Sequence, residues 1–140
     1  MALERTLAII KPDAFQKGFA GRIISRIEEA KFRIVASRRF SLTKRQVSGF
    51  YDVHRDKPFF NSLTDYMSSG PCIVLVLEAD DAIAKWRTLM GATNPEKADA
   101  NTLRADFGES IERNATHGSD AIKTAAYEMS YFFAGLELID

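Results

Sequence analysis

Arg113-Asn114-Ala115-Thr116-His117-Gly118-Ser119-Asp120 is the stretch on which the fold of this chain turns. With Arg113 to Thr116 as a fourth, short strand, the elements run βαββαβ. That order predicts an α+β, ferredoxin-like sandwich, an antiparallel four-stranded sheet covered by helices. His117 then stands directly before Gly118-Ser119-Asp120, which reads as a helix opening with its N-cap at Ser119 or Asp120. Imidazole is neutral and nucleophilic near pH 7, so a positioned histidine can accept a group covalently and pass it on. A helix N-terminus favours anions, which makes a phosphoryl the expected group. The chain has 2 histidines, which leaves little competition for the role.

Upstream, Thr6 to Ile10 is an apolar run stopped by Lys11-Pro12-Asp13, a buried strand. Gly18 and Gly21 bracket a turn, and Ile23, Ile24, Ile27 and Ala30 follow at helical spacing. Phe32 to Leu42 alternates, with Phe32, Ile34 and Ala36 opposite Arg33, Val35 and Ser37, as in a strand with one wetter face. Thr43-Lys44-Arg45-Gln46 has the form of a capping box, so a helix runs from there toward Tyr51. Asp56-Lys57-Pro58 opens another, with Pro58 in its first turn and Phe59, Phe60, Leu63, Tyr66 and Met67 as its stripe. Ser69-Gly70-Pro71 ends it, and Ile73 to Leu77 reads as a central strand. Asp80 or Asp81 caps a helix through Ile83, Trp86, Leu89 and Met90, closed by Gly91. Ala92 to Glu112 reads as a long ordered loop anchored by Pro95, Leu103, Phe107 and Ile111, and loops of that length are usually functional. Ile122, Ala126, Met129 and Phe133 make the last helical stripe.

Composition narrows the class. The 140 residues predict one domain spanning 1–140, and 46% hydrophobic with 27% charged residues is an ordinary globular balance. Nineteen basic and nineteen acidic residues cancel, which argues against broad binding to nucleic acid or to an anionic membrane. Cys72 is the 1 cysteine, so no internal disulfide forms and a reducing compartment is expected. The first residues show no secretory leader, and no apolar run approaches the roughly 20 residues that span a bilayer, so a cytoplasmic location is expected. Neither a Gly-x-x-x-x-Gly-Lys-Ser/Thr loop nor Gly-x-Gly-x-x-Gly occurs, which removes Walker-type and Rossmann nucleotide binding. Two histidines, 1 cysteine and no tight carboxylate cluster argue against a protein-caged transition metal. Phosphoryl transfer would therefore use side-chain cations, with Mg²⁺ carried on nucleotide phosphates. Lys17-Gly18-Phe19-Ala20 begins like an RNA-recognition signature, but Gly21-Arg22-Ile23-Ile24 breaks it.

Six runs then resemble one family, in its order and over nearly the whole chain. They are Thr6 to Asp13 ending in Lys11-Pro12-Asp13; Tyr51 with Asp56-Lys57-Pro58-Phe59-Phe60; Ser69-Gly70-Pro71; Arg87 to Pro95; Thr102 to Phe107; and Asn114 to Asp120. Together they resemble nucleoside diphosphate kinase, and the end Tyr131-Phe132-Phe133 looks like the bacterial type. The resemblance implies exchange of the terminal phosphate between nucleoside triphosphates and diphosphates, ping-pong through a phosphohistidine at His117, with Mg²⁺ and little base selectivity. By the same resemblance Lys11 reaches the sugar hydroxyl and terminal phosphate, and Asn114 binds the ribose. Arg87 and Thr93 hold the inner phosphates, Arg104 and Tyr51 flank the group in flight, and Phe59 and Ile111 sandwich the base. Ser119 and Glu128 orient the histidine, and Asp120 touches Mg²⁺ through water. The family also implies a homo-oligomer, a tetramer or hexamer built from dimers. The competing reading is a catalytically silent member that binds nucleotide or a partner; the intact His117, Arg87 and Arg104 speak against it.

Other positions carry plainer expectations. Phe60 fits the core better than Phe59, His54 reads as solvated surface, and a helical glutamate such as Glu128 is ordinarily a surface charge. Asn101 stands where the family commonly has glycine, and asparagine tolerates a left-handed backbone better than most residues. Lys97 to Ala100 also lacks a proline often found there.

Overall fold

A computed structural model describes residues 3–139. The chain runs β1 (Leu3–Ile10), α1 (Pro12–Gln16), α2 (Ala20–Glu29), β2 (Arg33–Phe40), α3 (Lys44–Phe50), α4 (Phe60–Met67) and β3 (Cys72–Asp80). It continues through α5 (Ala82–Met90), α6 (Leu103–Phe107), β4 (Thr116–Gly118) and α7 (Ile122–Phe132), with single 3-10 turns at Asp52–His54, Pro95–Lys97 and Gly135–Leu138. The four strands form an antiparallel sheet in the order β2-β3-β1-β4, the ferredoxin-like arrangement expected. β1 and β3 sit at the centre, in register from Leu3 opposite Asp80 to Ile10 opposite Ile73. Both faces of that pair are covered, which is why their sequences are nearly continuous apolar runs. Against one face α2 and α5 pack Ile23, Ile27, Trp86 and Met90 over Ala8, Ile10, Leu75 and Leu77. Against the other, α3, α4 and α7 bring Val47, Phe50, Leu63, Met67 and Phe132 onto Leu7, Ile9, Val74 and Val76.

The fourth strand is displaced from its predicted place. β4 is Thr116–Gly118 and shares only Thr116 with the expected Arg113 to Thr116, because Ala115 has φ 74° and a left-handed residue cannot continue a strand. Asn114 and Ala115 form a corner, and His117 lies on the strand itself opposite Ile9. The helix opening moves too. α7 begins at Ile122, and neither Ser119 nor Asp120 is its N-cap. The Ser119 hydroxyl faces inward instead, where it accepts from the Leu7 amide and donates to Glu128. An anion site made by this helix end, inferred from an N-cap at Ser119 or Asp120, therefore loses its basis. The buried side chains of α7 are Ala125 and Phe132, whereas Ile122 and Ala126 are exposed. Phe132 sets that phase by packing against both Phe40 and Phe50.

Other departures have equally local causes. A register shift between Ile34 and Ala36 moves Ala36 to the face of Val35, leaving Phe32 and Ile34 on the opposite side. Pro12 starts the short helix α1, so Gly21 lies in the first turn of α2 and Gly18 alone, at φ 76°, makes the turn. Pro58 precedes α4, whose N-cap is Phe59, because the 3-10 turn at Asp52–His54 and following turns consume the intervening residues. The 92–112 segment is not a bare loop. Thr102 caps α6 by accepting from the Ala105 amide, and Leu103 anchors it in the core. Asp81 occupies the N-cap of α5, but the carboxylate that accepts from the Ile83 amide belongs to Glu4. Asn101 does adopt a left-handed conformation, φ 69°. Phe60 is buried as expected, and His54 is half-buried between the rings of Tyr51 and Phe59 rather than fully solvated.

Candidate active site

His117 is carried on the edge strand β4, and its imidazole lies on the α3–α7 side of the sheet. The ring meets Phe50 edge-on at 5.4 Å between centroids and Tyr51 at 6.0 Å. Its Nε2 lies 3.0 Å from Glu128 Oε1, and the Ser119 hydroxyl donates to the same carboxylate oxygen at 2.8 Å. A carboxylate only accepts, so Nε2 carries the proton and donates it to Glu128. In the neutral ring Nδ1 is then the nitrogen with a lone pair available to an electrophile. The chain Leu7 amide, Ser119, Glu128, His117 anchors the ring to the sheet. Glu128, a surface charge by position in the sequence, is thus drawn inward by two donors.

Gly118 lets helix α5 approach the strand. A Cβ there would stand 2.5 Å from Trp86 Cδ1 and 2.6 Å from Met90 Cε. The Trp86 indole N–H donates 3.1 Å to the His117 carbonyl, which fixes the backbone under the imidazole.

Three cations converge near the same strand. Lys11 follows β1 directly, and its backbone amide donates to the Ala115 carbonyl at 2.8 Å. Its ammonium, nearly buried, donates to Asn114 Oδ1 at 2.9 Å and to the Glu112 carbonyl at 3.1 Å. Burial, with the nearby Arg104 charge, lowers the Lys11 pKa to about 8, against the opposing pull of Asp13 and Glu112. Arg104 donates to the Gly91 and Thr116 carbonyls at 3.1 and 2.9 Å. Burial and the Arg87 charge lower its pKa to about 10. Arg87 is exposed and pairs with Asp120 at 2.8 Å. Arg87, Thr93, Lys97 and Arg104 line a cavity of roughly 370 Å³. Arg104 Nε and the Tyr51 hydroxyl are buried without a hydrogen-bond partner among the described residues. Such groups are costly to leave unmade and fit a ligand. Burial also holds the Tyr51 phenol well above its usual pKa, so it stays a neutral donor.

Asn114 ties the cluster to the loop, its side-chain amide donating to the Thr93 carbonyl at 3.0 Å. Phe59 and Ile111, by contrast, are 47% and 61% exposed. Ser62 and Glu112, hydrogen-bonded at 3.0 Å, bring α4 alongside the segment that carries Ile111. Hydrogen bonds and ring contacts thus join Lys11 to Asn114, Asn114 to Thr93, and His117 to Tyr51 and Glu128, whereas none among the described residues links Phe59 or Ile111 to His117 directly. The sequence reading missed Asp13 and the carbonyls of Gly91, Glu112 and Thr116. A charged residue just beyond a buried strand was the one available signal for Asp13; backbone carbonyls leave none.

As for metals, no group of three or more His, Cys, Asp or Glu side chains could hold an ion among the described residues. Asp120 offers a single exposed carboxylate beside the cations. That donor set suits a hard ion that keeps most of its ligands from water and phosphate, as Mg²⁺ does.

Comparison with known proteins places the chain in one family. The family model described as nucleoside diphosphate kinase matches residues 4–138. The nucleoside diphosphate kinase of Syntrophotalea carbinolica is 61% identical over 137 residues, 98% of this chain and 100% of that protein. That of Acidiphilium cryptum is 56% identical over 139 residues, 99% of each. Among solved structures, Aquifex aeolicus nucleoside diphosphate kinase superposes with a TM-score of 0.96 at 44% identity, covering 99% of this chain and 100% of that one. A halophilic nucleoside diphosphate kinase from Halobacterium salinarum, in complex with CDP, gives 0.94 at 35% identity over 99% and 93%.

Proposed function

Because this chain belongs to the nucleoside diphosphate kinase family, we propose that it moves the γ-phosphate through a covalent intermediate on His117. The observation that carries this is the Nε2–Glu128 hydrogen bond, which leaves Nδ1 as the nucleophile. Nδ1 attacks the terminal phosphorus of a nucleoside triphosphate; the N–P bond forms, the bridging P–O bond breaks, and the diphosphate leaves. A terminal oxygen of a second nucleoside diphosphate then takes the phosphoryl from Nδ1 by the reverse displacement. One pocket serves both halves because donor and acceptor share a shape. Little covalent chemistry remains for other residues, so positioning and charge dominate.

In this reading Lys11 and Arg104 face the charge on the group in transfer, and the neutral Tyr51 hydroxyl donates to it. Arg87 and Thr93 hold the inner phosphates. The exposed Arg87–Asp120 pair is worth at most about 1 kcal/mol, so phosphate displaces the carboxylate at little cost. Asp120, freed from that pair, would hold Mg²⁺ through water, and the ion would supply charge neutralisation on the phosphates when bound. Asn114 and Lys11 meet the sugar hydroxyls. Phe59 and Ile111 clamp the base between a ring face and aliphatic carbons, without reading its edges. We place this activity in a single domain, in a cytoplasmic homo-oligomer, a tetramer or hexamer built from dimers. The outer edge of β2, next to no other strand among the described residues, supports self-association, and the buried, unpaired Cys72 supports a reducing compartment. No helix among the described residues is long and apolar enough to cross a membrane.

The test is to incubate the protein with γ-labelled ATP and Mg²⁺, denature it, and examine the label. Label that is acid-labile, alkali-stable, chased by GDP and lost in His117→Ala is the expected result. Rapid nucleotide exchange with no such label would overturn the covalent route.

A further inference from the structure

Asp13 is a buried carboxylate that the mechanism above leaves unused. It lies two residues beyond Lys11, in the first turn of α1. Its Oδ1 accepts from the Tyr66 hydroxyl, and its own amide donates to that hydroxyl oxygen at 2.9 Å. Its Oδ2 accepts from the Ala115 amide at 3.1 Å. Ala115 is the left-handed corner between Asn114 and β4, fully buried, and its carbonyl receives the Lys11 amide. A non-glycine residue in that conformation costs on the order of 1–2 kcal/mol and persists only where its surroundings hold it. Asp13 is the side chain that holds it. Asn114 and Thr116 flank that corner, one on each side.

Charge gives Asp13 a second task. The Lys11 ammonium faces Arg104 from α6, Glu112 and Asn114 from the segment before β4, and Asp13 from its own helix. Tyr66, from α4, faces Asp13, and the Arg113 guanidinium lies over the Tyr66 ring at 5.1 Å. Arg104 and burial both disfavour the lysine cation; Asp13 and Glu112 favour it. Of those two carboxylates Asp13 is buried, and Glu112 is engaged by Ser62.

We propose that Asp13 is a positioning residue of the phosphotransfer site, its carboxylate locking the Ala115 corner and supplying the buried countercharge to Lys11. The proposal rests on the phosphotransfer reading, in which Lys11 must be a cation when it meets phosphate. In the wild type, kcat/KM for the diphosphate acceptor should fall as pH rises through about 8, where Lys11 loses its proton. Asp13→Asn keeps the shape and removes the charge. Its activity should fall at every pH, and its alkaline limb should move to lower pH by about half a unit or more. A purely structural part would scale the profile without moving the limb.

Tyr66→Phe supplies a second test that leaves Asp13 in place. It removes a donor to the carboxylate and keeps its charge, so the limb should hold or move to higher pH. An unmoved limb in a folded Asp13→Asn, or a limb moved to lower pH in Tyr66→Phe, overturns the role of Asp13. Failure of the wild type to form a phosphohistidine would instead overturn the phosphotransfer reading, which keeps the two failures distinct.

Discussion

The proposed phosphate end and the proposed base end of the site are built to different standards. Around His117 the side chains of Lys11, Asn114, Ser119 and Glu128 are sheltered and each makes at least one hydrogen bond to the protein. Around the base, Phe59 and Ile111 stand 47% and 61% exposed. Phosphoryl transfer needs reacting groups held closely, because misplacement of about 1 Å can cost on the order of 100-fold. Accepting any base needs only a slot of suitable width with no polar groups aimed at base edges. In the proposed reading, tight construction falls at the phosphate that is transferred, and looseness at the base.

That contrast can be broken most sharply at the nucleophile. His117→Ala should lower exchange by about 10⁴-fold or more while nucleotide binding persists, measured by coupled assay and by calorimetry. Residual exchange within about tenfold of wild type would show that the imidazole is not the carrier. Next in size is Glu128→Ala, which removes the acceptor at Nε2. Loss of a hydrogen bond to a charged group, about 1.5–3 kcal/mol, corresponds to a fall in kcat of roughly 10- to 100-fold. An effect confined to KM would mean that Glu128 contributes to binding and not to imidazole orientation.

Gly118→Ala probes the backbone beneath the site. Its methyl would press on Trp86 and Met90, so thermal or urea unfolding should report about 1–3 kcal/mol of lost stability. Unchanged stability would show that α5 can retreat from β4 freely. The smallest change is expected at the base. Phe59→Ala should raise KM by roughly 5- to 10-fold, the lower part of the range for stacking because the ring is already half in water. The increase should be similar for adenine, guanine, cytosine and uracil diphosphates; a selective loss would mean that one base edge is read.

Much of the architecture was legible before any coordinates. The central strands, the Thr43 capping box and the Gly91 helix end each rest on neighbours close in sequence. Patterns spanning one or two turns are what periodicity and capping chemistry detect. Failures occurred where distant residues intervened. Glu4 caps α5 from across the sheet, the inward turn of Ser119 removed the expected N-cap of α7, and Asp13 holds Ala115 in a conformation its own side chain does not favour. The bulge at Val35 likewise reverses an alternation that looked regular.

The candidate site divides along the same line. Local chemistry nominated the histidine, and the resemblance of six runs to one family added its cations and an aromatic clamp. The sequence could not tell which imidazole nitrogen meets a carboxylate, that Ser119 and His117 reach the same Glu128 oxygen, or that Asp13 accepts from the Ala115 corner. Those facts depend on hydrogen bonds between residues far apart in the chain, formed where β1, β4, α1 and α7 converge. A linear chain specifies which groups are available, whereas packing specifies which donors and acceptors are excluded from water and must therefore find one another.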